Sequence, residues 1–120
     1  MSGPSVILAT GRGHRSAPGQ VIISLDRREI YGDGAPWRFG SLYQFRFAVA
    51  LFASRGGVVE YRDLVEHVWG DEADGGPANT RLRLATFAHF FNRRCRNWRA
   101  VTVWGRGIRL ERAVLAQVAA

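Results

Sequence analysis

The sequence predicts an α+β fold with an N-terminal antiparallel β-sheet, three helices and a C-terminal β-hairpin. Residues 6–39 contain short β-prone runs separated by turn-forming residues, a pattern typical of an antiparallel sheet. Residues 41–98 contain three segments whose apolar side chains recur at helical spacing. Two further β-prone runs then flank a Gly-Arg-Gly tripeptide at 105–107. With 120 residues and 47% hydrophobic content, the chain can bury one core.

The N-terminal third is predicted to hold four strands, at residues 6–9, 21–25, 29–31 and 37–39. Asp26 to Arg28 and Gly32 to Gly34 supply turns, and such short connections favour antiparallel pairing with one covered face. Residues 11–19, GRGHRSAPG, are rich in turn formers and lack the Gly-Lys-Ser/Thr ending of a phosphate-binding loop. We therefore predict a flexible leader with one short strand at 1–19, a domain at 20–112 and a tail at 113–120.

Two helices are predicted in the middle of the chain. Ser41 followed by Gln44 forms a capping box at the start of the first helix, and Gly56 with Gly57 ends it. A brief extended link at 58–59 leads to a second helix over residues 61–69. Its inward side chains are expected to be Leu64, Val65, Val68 and Trp69. An acidic, glycine-containing loop at 70–76 follows this helix.

The third helix, predicted within residues 77–98, has two faces of different chemistry. The face centred on Leu84 is predicted to enter the core and carries Thr80, Phe87, Ala88, Phe91, Cys95 and Trp98. The opposite face carries Leu82, Thr86, His89, Arg93 and Asn97, with Arg83 and Arg96 on its flanks. Hydroxyl, imidazole, amide and guanidinium groups contact base edges and phosphates in DNA-binding proteins. For this helix alone, an ordinary solvated basic face explains the pattern equally well.

The charge of the chain is concentrated on this helix and the hairpin after it. The net charge is +7, and all 17 basic residues are arginines. Residues 79–112 hold nine arginines and one glutamate, whereas residues 56–78 hold one arginine and six acidic residues. Together with a pI of about 11.2, this distribution favours a polyanionic partner, either nucleic acid or an anionic membrane surface. No apolar run reaches membrane-spanning length, so we expect no membrane partner.

Three helices followed by a β-hairpin wing form the winged-helix plan. The sequence also resembles the OmpR/PhoB-type winged-helix DNA-binding domain of bacterial transcription regulators. SLYQFR at 41–46 resembles the family's Leu-Thr-x-x-Glu-Phe opening, and GGVVE at 56–60 its Gly-x-Val-Val-Ser turn. Residues 62–70, with RDL and VWG, are similar to its Glu-Glu-Leu … Val-Trp-Gly helix. TVWGRGIRL at 102–110 resembles its wing signature, Thr-Val-Arg-Gly-x-Gly-Tyr-x-Leu, and the likeness covers roughly residues 20–110.

The resemblance implies a cytoplasmic, nucleoid-associated transcription regulator that binds double-stranded DNA. A recognition helix at about 79–97 would lie in the major groove, and a wing at 101–110 would contact the backbone or minor groove. The candidate DNA-binding residues are Arg81, Arg83, Thr86, His89, Arg93, Arg94, Arg96 and Arg106. We expect no enzymatic activity, no cofactor and no metal, because the sequence shows no catalytic set and no ligand spacing around Cys95 or His89.

Several residues depart from the family pattern. Phe87, Ala88 and Phe90 replace basic and aliphatic residues of the usual recognition helix, so phosphate contacts are expected from Arg93, Arg94 and Arg96. Trp104 replaces the wing arginine, although Arg106 restores a charge two residues later. Nothing upstream is long enough to form the family's receiver domain. Dimerisation driven by phosphorylation is therefore not expected within this chain.

Two other functions stay open for the sequence. A winged helix can serve as a protein-interaction module, docking on RNA polymerase or another regulator through Phe90, Trp104 and the acidic loop. Non-specific nucleoid-type binding driven by charge is the second alternative. In the family, the loop before the recognition helix can contact RNA polymerase, which makes Asp71, Glu72 and Asp74 candidate polymerase contacts. A homodimer on DNA is a further candidate assembly.

Overall fold

The computed structural model describes residues 4–32 and 36–113, and they form an α+β fold with three helices and two sheets. The elements are β1 (Ser5–Ala9), β2 (Gln20–Ser24), β3 (Glu29–Tyr31), β4 (Trp37–Arg38), α1 (Leu42–Ala53), β5 (Val58–Glu60), α2 (Tyr61–Trp69), α3 (Thr80–Arg94), β6 (Trp98–Val103) and β7 (Gly107–Arg112). The predicted fold class is therefore confirmed.

The N-terminal sheet has the strand order β1-β2-β3-β4, and one of its pairings differs from the prediction. The β2–β3 and β3–β4 pairs are antiparallel, but β1 lies parallel to β2, with Ser5 opposite Gln20. The segment at 10–19 is long enough to return the chain to the end of the sheet where β1 began. Its last turn is closed by the Gln20 amide, which donates to the Ala17 carbonyl at 3.0 Å, and the Ser5 amide donates to the Gly19 carbonyl at 3.0 Å.

The predicted flexible leader is hydrogen-bonded to this sheet. The Gly11 amide donates to the Asp26 carboxylate at 2.8 Å, and the Gly13 amide donates to the Tyr31 hydroxyl at 3.1 Å. The His14 ring meets the Tyr31 ring edge-on, with centroids 5.3 Å apart. The boundary at residue 20 stays a prediction, although β1 belongs to the same sheet as β2. Of the predicted turn at 32–34 and tail at 113–120, only Gly32 and Ala113 lie within the described residues.

Helix α1 forms the centre of an aromatic core. Its N-cap is the predicted one, because Ser41 Oγ accepts the Gln44 amide at 3.3 Å. Phe47 and Phe52 on its buried face contact aromatic rings of α3 and of both sheets. The ring pairs are Phe47–Phe87, Phe47–Phe91, Phe52–Phe91, Phe52–Trp98 and Phe52–Trp37, with centroids 5.7–6.4 Å apart. The core thus joins α1 to α3 directly.

The second sheet has the strand order β5-β7-β6, and it attaches the wing to the start of α2. The predicted extended link is a true strand, β5, which pairs with β7 as well as leading into α2. Gly107 lies opposite Glu60, and a Cβ atom at Gly107 would overlap the Val59 carbonyl oxygen. Glycine is required here because the two strands approach more closely than any side chain permits.

Helix α3 ends at Arg94, earlier than the predicted limits at 97 or 98. Cys95 leaves the helical conformation, with φ −98° and ψ 73°, and Trp98 becomes the first residue of β6, paired with Arg112. Strand pairing from Trp98 onward competes with the last helical turn, and the β-prone run WRAVTV favours the strand. The predicted core face is confirmed: Leu84, Phe87, Ala88, Phe91, Cys95 and Trp98 are all buried, while Thr80 is half-buried.

Candidate nucleic-acid interface

One row of side chains on α3 faces away from the core. Leu82, Thr86, His89 and Arg93 follow each other at helical spacing, and all four are exposed. The Thr86 hydroxyl donates to the Leu82 carbonyl at 3.1 Å, which leaves its oxygen lone pairs available to accept a hydrogen bond. Three predicted DNA-binding residues, Thr86, His89 and Arg93, therefore lie together on a surface with both polar and apolar groups.

Arg83 and Arg94 lie on one flank of this row, in the same helical stripe as Phe87 and Phe90. Arg83 lines a groove with Glu72 and Asp74 of the acidic loop. Arg94 is held at the other end of the stripe, where its guanidinium donates to the carbonyl of Arg38 in β4 at 2.6 Å. The structure thus separates these two predicted residues from the outward row, although both stay exposed.

Arg81 lies on the opposite flank, beside the wing. Its guanidinium carbon sits 4.2 Å from the centroid of the Tyr61 ring, within the range of a cation–π interaction. The Tyr61 amide in turn donates to the carbonyl of Arg106 at 3.0 Å. The start of α2, the first turn of α3 and the wing turn therefore meet through these three residues.

Asn92 connects α3 to the wing strand β6, a role that the sequence did not indicate. Its side-chain amide donates to the Ala100 carbonyl at 3.1 Å and accepts the Ala100 amide at 2.6 Å. These two bonds tie α3 to the hairpin. The signal in the sequence was weak: an asparagine late in the predicted helix, although asparagine is a poor helix former.

The wing ends in a tight turn formed by Trp104, Gly105 and Arg106. The Arg106 amide donates to the Val103 carbonyl at 2.9 Å, and Gly105 adopts φ +74°. The predicted arginine at the tip is exposed, and the Trp104 side chain is 94% exposed. Arg96 is also exposed, but it lies in the turn between α3 and β6 rather than on the helix.

In the acidic loop, Asp71 and Glu72 bond to side chains of α1. They are two of the three residues predicted to contact RNA polymerase. The Arg46 guanidinium makes two hydrogen bonds of 2.9 Å to the Asp71 carboxylate, and this contact lowers the pKa of Asp71. The Tyr43 hydroxyl donates to Glu72 at 2.7 Å, which raises the pKa of Tyr43. Asp74 is exposed and accepts a long bond, 3.4 Å, from the Gly76 amide.

Cys95 and His89 lie in different environments. Burial raises the pKa of the Cys95 thiol to about 12, so the thiol stays protonated at neutral pH. His89 is exposed and lies beside Phe90, with ring centroids 5.8 Å apart. Across residues 4–32 and 36–113, no three His, Cys, Asp or Glu side chains are grouped to hold a metal ion. No helix in the same ranges is both long and apolar enough to cross a bilayer.

The arrangement of three helices, a third strand beside the hairpin and an exposed wing defines a winged helix-turn-helix fold. The chain is similar to the crystal structure of the DNA-binding domain of Bacillus subtilis CssR, with a TM-score of 0.59 and 20% sequence identity. The similarity covers 76% of this chain and 99% of that domain. The predicted resemblance to the OmpR/PhoB-type fold is confirmed. A scan against protein-family models gives no match, and neither does a search of curated proteins.

Proposed function

We propose that the protein binds double-stranded DNA sequence-specifically and regulates transcription, with α3 in the major groove and the wing on the backbone or minor groove. The observation that carries this proposal is the exposed row on α3 next to an exposed, arginine-bearing wing tip. The strong basic balance of residues 79–112 supports it. The fold also agrees with it, because the CssR domain is described as DNA-binding.

The outward row has the groups that a major groove requires. The groove of B-DNA is about 12 Å wide and admits one α-helix. Arg93 can form two hydrogen bonds with a guanine edge, Thr86 can accept one, and Leu82 offers an apolar contact for a thymine methyl group. We therefore assign base reading to Thr86, His89 and Arg93, although the sequence alone led us to expect a phosphate contact from Arg93. Arg83, another candidate DNA-binding residue, lies on the flank near the acidic loop.

The flanking arginines suit phosphate contacts. Arg81 and Arg94 are partly ordered before binding, Arg81 by the Tyr61 ring and Arg94 by the Arg38 carbonyl. A side chain already held in place loses less conformational entropy when it binds a phosphate. Arg96 and Arg106 extend the same basic surface toward the wing. Such contacts position a protein on any duplex without reading its sequence.

The salt dependence of binding tests the phosphate contacts. If four to six arginines neutralise phosphates, a plot of log K against log salt concentration should have a slope of about −4 to −5. Fluorescence anisotropy with a labelled duplex measures the slope. A slope flatter than about −1 would remove the basis for the DNA-binding proposal.

Two substitutions separate base reading from phosphate binding. Arg93→Ala should reduce the affinity for a selected duplex more than for a scrambled one, because a guanidinium on a guanine edge discriminates by about 1–3 kcal/mol. Arg106→Ala should weaken both complexes alike and make the salt slope shallower by about one. Arg27→Ala is the matched control, since it removes the same charge from a turn of the N-terminal sheet. An unchanged preference in Arg93→Ala would exclude base reading by that side chain.

A protein-interaction module is the second candidate function, and the exposed aromatic side chains favour it. Phe90 is 45% exposed and borders a groove with Phe39 and Arg93. If neither Arg93→Ala nor Arg106→Ala affects binding to any duplex, the helix faces a protein partner instead. RNA polymerase contact through Asp74 and a homodimer on DNA stay predictions, and co-purification with polymerase and sedimentation on a duplex test them.

A further inference from the structure

One tryptophan of the four differs from the others in its surroundings. Trp37, Trp69 and Trp98 are 9%, 4% and 6% exposed, whereas Trp104 is 94% exposed. Burying a large apolar side chain is favourable, and this indole forgoes nearly all of that gain in the unbound protein. Large aromatic side chains that are exposed in an unbound protein typically become buried when a partner binds.

The backbone around Trp104 is held in place, so the indole is presented from a rigid support. The Arg106 amide bonds to the Val103 carbonyl, and Val103 pairs with Gly107 across the hairpin. The Arg106 carbonyl accepts the Tyr61 amide, which connects the turn to α2. A side chain on such a turn can enter a partner with little loss of backbone entropy.

The charges near the wing tip indicate the chemistry of that partner. Residues 98–112 carry four arginines and a single acid, Glu111, which is already paired with Arg109. Arg106 lies two residues from Trp104, and Arg81 lies over Tyr61 beside the turn. An aromatic group within a positive surface fits a polyanion that also offers apolar or stacking surface, and a DNA duplex is such a polyanion.

We propose that Trp104 inserts its indole into the minor groove at the wing tip and wedges open a base step. This inference rests on the proposed DNA binding and adds a residue that selects deformable DNA. The minor groove is about 6 Å wide, which accommodates a flat ring between its walls. Apolar wedges partly unstack and kink a duplex, and pyrimidine–purine steps resist this least. Trp104 therefore favours sites with such a step beneath the wing.

Quenching of tryptophan fluorescence by acrylamide tests whether the indole enters DNA. Free protein should be quenched mainly through Trp104, since the other three indoles are buried. A duplex of about 30 base pairs, selected by the unmodified protein from a random pool, should protect Trp104. The variant Trp104→Phe supplies the signal of the three buried indoles, measured with and without this duplex. If the duplex binds and Trp104 stays as accessible as before, the inference is wrong.

Affinity and bending provide the second test. Trp104→Ala should bind the selected duplex about ten- to 100-fold more weakly, and energy transfer between the duplex ends should show a smaller bend. Replacing the pyrimidine–purine step under the wing should weaken the unmodified protein but not Trp104→Ala. Thermal melting should be the same for both proteins, because the indole packs against little of the fold.

The outcomes distinguish this inference from the proposed function. If no duplex binds the unmodified protein at any salt concentration, the DNA-binding proposal fails and the inference fails with it. If Trp104→Ala binds and bends the selected duplex as the unmodified protein does, DNA binding stands and the inference alone is overturned. In that case the indole serves another partner.

Discussion

Two short connections on either side of α3 contain glycines and exposed charges, yet their side chains are used differently. The acidic loop at 70–76 has backbone bonds of its own, and its side chains also anchor it to α1, because Asp71 pairs with Arg46 and Glu72 with Tyr43. The wing turn at 104–106 is anchored by its backbone, through bonds to Val103 and Tyr61. The first connection uses its charged groups for contacts within the fold, whereas the second leaves its side chains exposed.

The comparison shows that composition does not by itself identify a binding surface. Both connections carry charge and glycine, and the sequence suggested both as contact sites. The hydrogen bonds distinguish them, since a carboxylate already paired with arginine must break that pair before it binds another molecule. We therefore expect the wing turn to govern binding and the acidic loop to govern stability.

The largest expected effect lies beneath the acidic loop, where Trp69 meets Phe87 with ring centroids 5.9 Å apart. Trp69→Ala or Phe87→Ala should lower the free energy of unfolding by about 3–5 kcal/mol, because each leaves a cavity in the core. Trp104→Ala, the same substitution at the wing turn, is the control and should leave the melting temperature unchanged. Equal losses for Trp69→Ala and Trp104→Ala would contradict the contrast between the two regions.

Glycine-to-alanine substitutions should have a smaller effect on stability, and they compare the two connections directly. Gly76 and Gly105 both have positive φ, +101° and +74°, so alanine is strained at either position. Backbone strain of this kind costs about 1–2 kcal/mol. A Cβ at Gly76 would also approach the Trp69 side chain to 2.8 Å, whereas at Gly105 it meets nothing within 4 Å. Denaturant unfolding should therefore show a larger loss for Gly76→Ala than for Gly105→Ala, and the reverse order would contradict this account.

The pH dependence of stability should show the smallest effect. The Arg46 contact lowers the pKa of Asp71 below its ordinary value of 3.8. A carboxyl group with a lowered pKa in the folded state adds stability above its unfolded pKa and loses it as the pH falls through the folded value. The melting temperature of the unmodified protein should exceed that of Asp71→Asn at neutral pH, and the difference should shrink as the pH falls below 3.8 toward the lowered pKa of the folded state. Asp74→Asn is the matched control, and a difference of the same size there would show that Arg46 is not the cause.

Local signals in the sequence were sufficient for much of the fold. The span of α2, the Ser41 cap and the Gly-Arg-Gly wing tip depend on neighbouring residues, and the structure has all three. The parallel pairing of β1 and the end of α3 at Arg94 depend on which distant segments offer a hydrogen-bonding edge. Hydrophobic periodicity carries no information about pairing between distant segments. Both predictions at these points were therefore wrong.

The predicted interface residues show the same difference between local and long-range properties. Helical spacing correctly placed Thr86, His89 and Arg93 on the exposed face of α3, because that spacing is a local property. It did not show that Arg94 bonds to Arg38 or that Arg46 pairs with Asp71, since these residues are far apart along the chain. Whether the exposed residues contact DNA stays a prediction.

The close approach of Gly107 to Val59 has a consequence for how new binding preferences could arise. This contact sets the position of the hairpin relative to α2 with backbone atoms alone, so it admits no side chain at position 107. Trp104 and Arg106 sit a few residues away on the exposed tip and contribute little to the core. If the wing binds DNA as proposed, variation at positions 104 and 106 can change its preference without changing its geometry. In such a hairpin, the residues at the tip can vary while the strands that support them stay the same.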